Sequence, residues 1–455
     1  MIGSVLLLIE RRTARVILAF GALFALAYLT SIVVLPKPGG RLLLGDALHH
    51  YVQLRSVVFD GDLHFRNEYI RMYGLQGGEP GTGWIYQDTE TGHVRNYMPA
   101  GPAILWAPLF LLVTFVAFVG NLAGANWPID GYARIYQATA GATGVIAATA
   151  GVWLSWRTAA SLFSARAAAW GTVVLWLSSS ALYYSVISPT YSHAASLLAT
   201  SAFWYAWVRS DGSPDVHRYA ILGGLTGLSA LMRWQDGILL APIALDLLLR
   251  MKAREMPLRR AVVAGAAALI ASIIVFSPQM IVWTTLYGQP LALPQGEGFM
   301  RWTDPALLLV LFSDWHGLLT WTPVCAIAIA GSVYLARRDP RLGGAAILFL
   351  LLSWYVNAAV ADWWAGEAFG ARRFVSCFSV MALTLAALID RWAPAANRVA
   401  LAGGIVVAHT FLLLVQYQAF MHGLRDAAPY PRGAYNLWLA RFVVPIDLAR
   451  EWLGR

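Results

Sequence analysis

The feature that most constrains this chain is the repetition of apolar segments long enough to cross a lipid bilayer. Residues 16–35 form an uncharged run, and a membrane-crossing helix needs about 20 such residues. Similar runs fill most of the chain, so that 58% of its residues are hydrophobic and 13% are charged, against about 25% charged in soluble domains. The pattern predicts an all-α, multi-pass transmembrane protein and excludes a soluble globular fold.

The net charge and the cysteines exclude several further classes of function. The charge of +9 comes from 33 basic and 24 acidic residues. The arginines are scattered between apolar segments, which is typical of cytoplasmic loops and lipid headgroup contacts rather than of nucleic-acid binding. Cys325 and Cys377 both lie inside apolar segments, so neither a disulfide framework nor a metal-binding cysteine motif is predicted.

The basic residues orient the chain in the membrane. The main clusters are Arg11, Arg12 and Arg15, then Lys252, Arg254, Arg259 and Arg260, then Arg337, Arg338 and Arg341. Placing them inside follows the positive-inside rule, and predicts a cytoplasmic N-terminus with an uncleaved first helix. About 11 spans then follow, at 16–35, within 102–155, and at 167–187, 191–208, 219–233, 237–250, 261–284, 306–335, 341–361, 374–390 and 399–420.

This layout predicts one transmembrane domain, residues 1–420, which includes a first extracytoplasmic loop at 36–101. Residues 421–455 are predicted to be a short C-terminal tail outside the membrane, with no separate soluble domain.

The apolar segments 102–125 and 132–155 lie between an outside loop and an inside junction, so only an odd number of crossings is allowed. We predict that 102–125 lies at the interface, because Pro102, Trp106 and Pro108 suit a surface helix. Which of the two segments crosses is left open.

The first outside loop is the most polar part of the chain and holds the first candidate site. It carries seven of the 24 acidic residues and four of the nine histidines. Asp46 begins a predicted helix, where a carboxylate can complement the helix dipole or act as a general base on a hydroxyl group. His49, His50 and Arg55 follow in the same helix. Asp60 and Asp62 fit a polar turn, or oxygen ligands for a hard divalent cation.

Two later outside turns add polar residues that could face the same water layer. Tyr191 and His193 lie in a turn before an apolar helix, where histidine can cap the helix, orient a phosphate or help to hold a metal. Arg233 lies between two short apolar helices and needs a partner there. The partner is either Asp236, three residues on, or a bound phosphate, which a guanidinium group matches well.

The last two outside segments combine charges with aromatic residues. His316 follows Asp314 in one polar turn, and both are candidates for contacts to substrate hydroxyl groups. The other segment carries Trp363 and Trp364, which are interfacial belt residues or a platform on which a sugar stacks. It also carries Glu367, Arg372 and Arg373. Two arginines on the outside run against the positive-inside trend and, with Glu367, predict an anion site.

Taken together, these segments resemble the GT-C superfamily of membrane glycosyltransferases, which includes the protein O-mannosyltransferases and the lipid A aminoarabinose transferases. The resemblance is carried by GDALHHY, RSVVFDGDLHF, YMPAGPAILWAP, SPTYSH, HGLLTWTP and WWAGEAFGARRF. Each motif is short and degenerate, but the resemblance extends over most of the chain. The resemblance implies transfer of a sugar from a polyprenyl-phosphate donor to a hydroxyl acceptor on the non-cytoplasmic face, with inversion at the sugar carbon.

By position, the resemblance makes Asp46 the general base. Some relatives carry a second acidic residue where this chain has His193, so Asp46 and His193 are the candidate ligands if a divalent metal, Mg²⁺ or Mn²⁺, is used. The predicted substrate- and phosphate-binding residues are His49, His50, Arg55, Tyr191, His193, Arg233, His316, Trp363, Trp364, Glu367, Arg372 and Arg373. The expected partners are the lipid-linked donor, membrane lipid, and a lipid, glycan or protein acceptor.

Three other functions remain open at the level of the sequence. A transporter or flippase of a lipid-linked sugar predicts charged residues at mid-membrane depth and helix breaks in paired positions. A non-catalytic scaffold would not need acidic and basic residues in several outside loops. A polysaccharide ligase or polymerase would share the donor and differ in the acceptor.

Overall fold

The computed structural model describes residues 12–34, 42–43, 45–73, 87–212, 215–393, 395–424 and 429–454. Arg11, Glu79 and residues 35–41, 44 and 74–86 of the first loop lie outside these ranges. Within them the chain is helical, and its β-structure is limited to two isolated bridges, Asp88–Val94 and Met300–Val360. The all-α prediction is confirmed.

Nineteen α-helices are described. They are α1 (Thr13–Val34), α2 (Asp46–Arg55), α3 (Arg66–Tyr73), α4 (Gly101–Leu122), α5 (Arg134–Ala160), α6 (Ala165–Leu177), α7 (Ser180–Val186), α8 (Ser192–Arg209), α9 (Val216–Met232), α10 (Leu240–Lys252), α11 (Leu258–Tyr287), α12 (Leu309–Phe312), α13 (Leu318–Trp321), α14 (Val324–Arg338), α15 (Pro340–Ala359), α16 (Phe378–Trp392), α17 (Ala396–Met421), α18 (Ala434–Trp438) and α19 (Ala440–Trp452). A π-helical turn (Ser56–Asp60) extends α2, and 3₁₀ turns precede α10 (Trp234–Leu239) and α16 (Arg372–Cys377).

Seven of the described helices are long and apolar enough to cross a membrane: α1, α4, α5, α11, α15, α17 and the continuous segment Arg372–Trp392. Shorter helices, including α8, α9 and α10, pack among them. Large apolar side chains such as Leu26 and Phe115 are each 63% exposed, as expected where lipid replaces water around the protein. The multi-pass prediction is confirmed, and the number of about 11 spans stays a prediction.

One predicted crossing is not a continuous helix. Residues 306–335 form three helices, α12, α13 and α14, which are separated at residues 313–317 and 322–323. His316 has φ 64° in the first break, a conformation that cannot extend an α-helix. Pro323 lies in the second break, where it has no amide hydrogen to continue the ladder from α13. Asp314, His316 and Pro323 are signals of these two breaks that the prediction of a single span did not use.

The helices α1 and α5 run antiparallel. Arg134, at the start of α5, donates a hydrogen bond from Nη2 to the carbonyl oxygen of Ile32, near the end of α1 (2.6 Å). Further along, Gly21 lies against the side chain of Thr149. If the end of α1 is outside, α5 therefore starts outside and returns, as predicted for the segment 132–155.

The helix α4 lies at the same end of the bundle as the start of α5. Its first residue, Gly101, packs so closely on the backbone of Leu231 that a Cβ atom would lie 2.3 Å from the carbonyl oxygen. Three turns later, Phe110 packs on Tyr136 in the first turn of α5, with 5.2 Å between ring centroids. These contacts favour an α4 that lies along the outer ends of other helices. Since α4 is also long enough to cross, its interfacial position stays a prediction.

The C-terminal segment packs on the transmembrane helices. The fully buried Arg441 of α19 contacts His409 in the middle of α17. The exposed side of the same segment is apolar and consists of Leu439, Phe442, Val443 and Ile446. A helix with one packed side and one apolar exposed side is suited to the membrane boundary. The tail therefore adds to the helical core instead of extending freely from it.

Candidate active site

A cavity of about 560 Å³ lies where the segments that were predicted to lie outside meet. It is lined by residues from the start of α2, the segment before α4, the turn between α9 and α10, the segment after α11, the end of α15 and the 3₁₀ turn before α16. Its charged and histidine residues are Asp46, His49, Arg233, Asp362, Arg372 and Arg373. The fold thus brings together side chains that are more than 300 positions apart in the sequence.

Asp46 enters the cavity from the first turn of α2. The preceding residue, Gly45, has φ 53°, and a Cβ atom there would lie 3.2 Å from the Tyr191 hydroxyl, so both backbone conformation and space favour glycine. The Asp46 carboxylate accepts a hydrogen bond from Arg372 Nη1 at 2.8 Å. Burial raises the pKa of Asp46, but Arg372, His50 and His49 oppose this effect and lower the pKa below its ordinary value. The carboxylate is therefore ionised at neutral pH.

The two histidines of α2 are buried and neutral. Burial lowers the pKa of His49 and of His50 to about 4. His50 Nδ1 donates to the Pro99 carbonyl oxygen (2.8 Å), whereas His50 Nε2 is buried without a hydrogen-bond partner. The His49 ring lies between the hydroxyl groups of Tyr69 and Tyr73, at 2.9 and 3.1 Å. His49 lines the cavity and His50 anchors α2 to the segment before α4.

Arg233 follows the last turn of α9 and is 8% exposed. Its Nη1 donates to Nδ1 of His193 (2.6 Å), and Gln235, in the amide orientation that satisfies both side chains, accepts from the guanidinium group. Asp236 instead accepts a hydrogen bond from Ser196 (2.5 Å). Burial raises the pKa of Asp236 to about 6. The direct partners of Arg233 are thus neutral groups.

The two adjacent arginines point to different carboxylates. Arg372 pairs with Asp46 and lies over the Tyr191 ring, 5.4 Å from its centroid. Arg373 Nη2 donates to the Asp362 carboxylate (2.7 Å), and its Nη1 donates to the Asp362 carbonyl oxygen (2.8 Å). With Arg233, three guanidinium groups face two carboxylates in the lining. The cavity therefore carries an excess of positive charge and favours an anionic ligand.

Several predicted site residues lie in a second cluster, beside the cavity. His316 bonds through its ring to the Trp364 carbonyl oxygen (2.6 Å) and to the Tyr430 hydroxyl. Trp364 stacks on Trp315 with ring centroids 4.6 Å apart. Trp363 packs edge-on against the same pair. In this cluster the polar groups satisfy one another, so its direct role in substrate binding stays a prediction.

Two more predicted residues are also outside the cavity lining. Glu367 is exposed. Arg55, at the far end of α2, makes ion pairs with Asp60 and with Glu68 (2.9 Å to Glu68 Oε1) and lies over the Tyr132 ring. Its charge is therefore neutralised within the first loop. Substrate contacts by Glu367 and Arg55 stay predictions.

The candidate metal ligands do not form a suitable donor set. Asp46 is occupied by Arg372, and His193 Nδ1 accepts a hydrogen bond from Arg233. A divalent cation here would meet a guanidinium group beside each ligand. No group of three or more His, Cys, Asp or Glu side chains arranged to hold a metal occurs among the residues that the structure describes. Metal dependence stays a prediction that these residues do not support.

The polar residues of the cavity wall that the sequence interpretation missed include Trp234, Gln295 and Asn357. Asn357 is an isolated polar residue near the end of the apolar helix α15, and such a residue inside a span is a signal that could have been used. Gln295 lies in a segment without any motif. Trp234 follows Arg233 and reads as an ordinary interfacial tryptophan.

No protein-family model matches this sequence, and no curated protein matches it. Among solved structures, the fold is similar to that of ArnT from Cupriavidus metallidurans in the apo state, with a TM-score of 0.50 and 12% identity over 96% of this chain and 75% of that chain. ArnT bound to undecaprenyl phosphate gives a TM-score of 0.48, 13% identity, and coverage of 96% and 78%. The archaeal oligosaccharyltransferase AglB from Archaeoglobus fulgidus is more distant, with a TM-score of 0.42, 14% identity, and coverage of 96% and 55%.

At 12% identity, the likeness to apo ArnT establishes the fold and not the reaction. It covers almost the whole chain, from the first helix to the C-terminal segment. The resemblance in the sequence motifs and the likeness in three dimensions agree. The chain therefore has the fold of ArnT, in agreement with the GT-C-like fold that the sequence predicts.

Proposed function

We propose that this chain transfers a sugar from a polyprenyl-phosphate donor to a hydroxyl acceptor on the non-cytoplasmic face of a bacterial inner membrane. The observation that carries the proposal is the cavity that joins the Asp46 carboxylate to Arg233, Arg372 and Arg373. A base and a set of phosphate-binding groups in one pocket are what this reaction needs. The GT-C fold supports the proposal, since it is the fold of membrane glycosyltransferases.

The three arginines are suited to the phosphate of the donor. Each presents a planar fork of N–H donors that matches phosphate oxygens. Negative charge on the leaving phosphate grows as its bond to the sugar breaks, and preorganised cations stabilise it most at that point. The hydrogen bonds of Arg233 go to His193 and Gln235 and not to a carboxylate, so its guanidinium group can form a direct ion pair with the phosphate.

The reaction breaks one bond and forms one bond at the sugar carbon. The acceptor oxygen attacks from the side opposite to the phosphate, the carbon–oxygen bond to the phosphate breaks, and its electron pair leaves with the polyprenyl phosphate. The acceptor proton passes to Asp46. This displacement inverts the configuration at the sugar carbon, and its transition state resembles an oxocarbenium ion.

The ion pair between Asp46 and Arg372 couples donor binding to the base. Arg372 lowers the pKa of Asp46, which keeps the carboxylate ionised but makes it a weak base. A donor phosphate that binds Arg372 shares the guanidinium charge. The pKa of Asp46 then rises toward its ordinary value, so that the carboxylate becomes a stronger base only when the donor is present.

The rest of the cavity wall suits the lipid part of the donor. Leu293, Phe299, Met300, Val356 and Val360 form an apolar portion of the lining. Such a wall binds a hydrocarbon chain by burial of apolar surface, without selecting its length. The first isoprene units would lie here, with the phosphate toward the arginines.

The substitution Asp46→Asn tests the proposal. It keeps the size of the side chain and removes the base, so we expect the rate of transfer to fall by about 10²–10⁴-fold, while binding of bare polyprenyl phosphate persists. The matched control is Asp88→Asn. Like Asp46, Asp88 forms an ion pair with an arginine, in this case Arg66, but Asp88 is exposed and lies outside the cavity lining.

The assay is sugar transfer by the purified full chain in lipid nanodiscs, with a panel of polyprenyl-phosphate sugars and hydroxyl acceptors. Unchanged turnover by Asp46→Asn would remove the base assignment. Movement of intact donor between leaflets, with no sugar transferred by any variant, would replace this proposal by the flippase alternative.

A further inference from the structure

Three polar atoms in the wall of the cavity are buried and have no hydrogen-bond partner among the residues that the structure describes. They are the amide oxygens of Asn357 and Gln295 and the indole nitrogen of Trp234. Asn357 is only 3% exposed. All three side chains are neutral, unlike the Asp46–Arg372 and Arg373–Asp362 pairs that share the cavity.

Unpartnered buried groups of this kind are uncommon in folded proteins, because each loses its hydrogen bonds to water without replacement. Asn357 makes the point most clearly. It lies in the last turn of the apolar helix α15, where a leucine of similar size would fit the hydrophobic pattern. Its oxygen bonds to no other part of the described fold, so its partner is a group that enters the cavity, either water or a ligand that displaces it.

We propose that Asn357, Gln295 and Trp234 form the subsite for the transferred sugar, and that this sugar is neutral. This inference rests on the proposed function and specifies the substrate class. An amide both donates and accepts hydrogen bonds, which matches a sugar hydroxyl that does the same. The indole N–H adds a donor to a hydroxyl or ring oxygen.

The charges of the cavity favour a neutral sugar over a charged one. An amino sugar would need a carboxylate for its ammonium group, but Asp46 and Asp362 each pair with an arginine at 2.8 and 2.7 Å. An acidic sugar would compete with the donor phosphate for the same three guanidinium groups. Neutral amides and an indole next to a cationic wall therefore fit a sugar with hydroxyl substituents, attached to a phosphate.

The subsite lies beside the phosphate-binding part of the wall. Asn357 precedes, by five positions, Asp362, which holds Arg373. The segment that carries Gln295 is fixed to the end of α15 by a hydrogen bond from the Arg301 amide to the Ala359 carbonyl oxygen (2.6 Å) and by the bridge between Met300 and Val360. Since both amides are tied to the end of α15, the sugar and its phosphate can occupy adjacent positions.

The test compares binding of donors with and without a sugar. The probes are bare polyprenyl phosphate and polyprenyl-phosphate glucose, mannose and arabinose, each with its amino analogue, and the glucose donor also with its uronic acid analogue. We expect Asn357→Ala to weaken binding of the best neutral donor by about tenfold or more, the effect of one lost buried hydrogen bond, and to leave binding of bare polyprenyl phosphate unchanged. Asn397→Ala, at an exposed asparagine of α17, is the matched control.

Two further variants separate a ligand-binding role from a structural one. Asn357→Leu removes the amide at similar volume, so it should raise the thermal stability of the ligand-free protein while it weakens sugar binding. Asn357→Asp adds a carboxylate and should shift the preference toward the amino analogues. If Asn357→Leu lowers the stability and leaves the preference among donors unchanged, the side chain is structural and the subsite is wrong.

The outcomes distinguish this inference from the proposed function. If the unmodified protein binds no polyprenyl phosphate, the proposed function fails and the subsite fails with it. If it binds polyprenyl phosphate but prefers an amino or uronic acid donor, or if Asn357→Ala affects bare and sugar-bearing lipids equally, only the inference is overturned.

Discussion

Arg218 and Arg233 lie at opposite ends of the same helix, α9, and are 2% and 8% exposed, yet they have different surroundings. Fifteen residues of helix separate them by about 22 Å. Arg218 pairs with Asp211 (3.5 Å) and Asp246 (3.6 Å) and lies 5.2 Å from the centroid of the Trp207 ring. Arg233 contacts only neutral side chains directly and faces a cavity.

The network around Arg218 is closed. Asp246 also accepts hydrogen bonds from Tyr219 (2.7 Å) and Arg250 (3.1 Å to the same oxygen). Each charge there has an opposite charge in contact, which is the condition under which buried ions are tolerated. The cavity that Arg233 faces is lined by three guanidinium groups and two carboxylates. The comparison teaches that burial of an arginine does not reveal its role, whereas the balance of charge and the presence of a cavity do.

The largest expected effect is on the closed network. Asp246→Ala removes the buried carboxylate that Arg218 and Arg250 share and leaves them the more exposed Asp211, so the free energy of unfolding should fall by about 3–5 kcal/mol. The turnover of the molecules that remain folded should not change, because Asp246 is outside the cavity. Denaturant unfolding in detergent micelles and transfer assays measure the two quantities.

Asp304→Ala is the control for that substitution, since Asp304 is exposed and should leave both quantities unchanged. A loss of turnover by Asp246→Ala without a loss of stability would mean that the two ends of α9 are functionally coupled. That result would remove the contrast between them.

The next effect is expected at the open end. Arg233→Gln should reduce kcat/KM by about 10²–10³-fold, the effect of removing one preorganised group that stabilises developing charge. Stability should stay the same or increase, since the substitution removes a buried cation that lies near Arg372 and Arg373. A fall in stability similar to that of Asp246→Ala would show that Arg233 is structural.

The smallest effect is a change in pH dependence at Asp46. Because Arg372 lowers the pKa of Asp46 and the base must be ionised, activity should persist to a pH below the ordinary aspartate pKa. Removing the positive charge by Arg372→Gln raises that pKa, so the acid limb of the kcat/KM profile should move to higher pH. Arg372→Lys keeps the charge and should leave the limb nearly unchanged.

The measurement is the pH profile of kcat/KM for the three proteins with a single donor. The reduced rate of Arg372→Gln does not affect the interpretation, since only the pH at which kcat/KM falls on the acid side is compared. If the limb stays in place in Arg372→Gln, or moves to lower pH, Asp46 is not the group that must be ionised.

The sequence predicted the individual charged groups better than their partners. Asp46, Arg233, Arg372 and Arg373 were identified because charged side chains are unfavourable beside apolar segments unless they have a role. Their pairing was not predictable, because Asp46 and Arg372 are 326 positions apart. Their closeness in the sequence suggested Asp236 as the partner of Arg233. In the folded chain, Arg233 instead forms a hydrogen bond with His193, and Asp236 forms one with Ser196.

The aromatic segment shows the opposite outcome. Trp363, Trp364 and His316 have the composition of a sugar-binding platform, but they pack against Trp315 and Tyr430 at the side of the cavity. Tyr430 comes from the C-terminal segment, which the sequence suggested to be a simple tail. Composition cannot distinguish an aromatic side chain that is free to bind a ligand from one that packs against another part of the chain.

The sequence by itself determined that lipid surrounds much of this protein, and it determined the class of the fold. Hydropathy acts segment by segment, and a backbone in lipid must satisfy its hydrogen bonds within a helix, so an all-α membrane architecture follows from local pattern alone. Only the tertiary structure decided which buried charges lie against an opposite charge and which line a cavity. Both properties depend on distant segments meeting, and they separate the cavity around Asp46, Arg233 and Asn357 from the ion-pair network around Arg218.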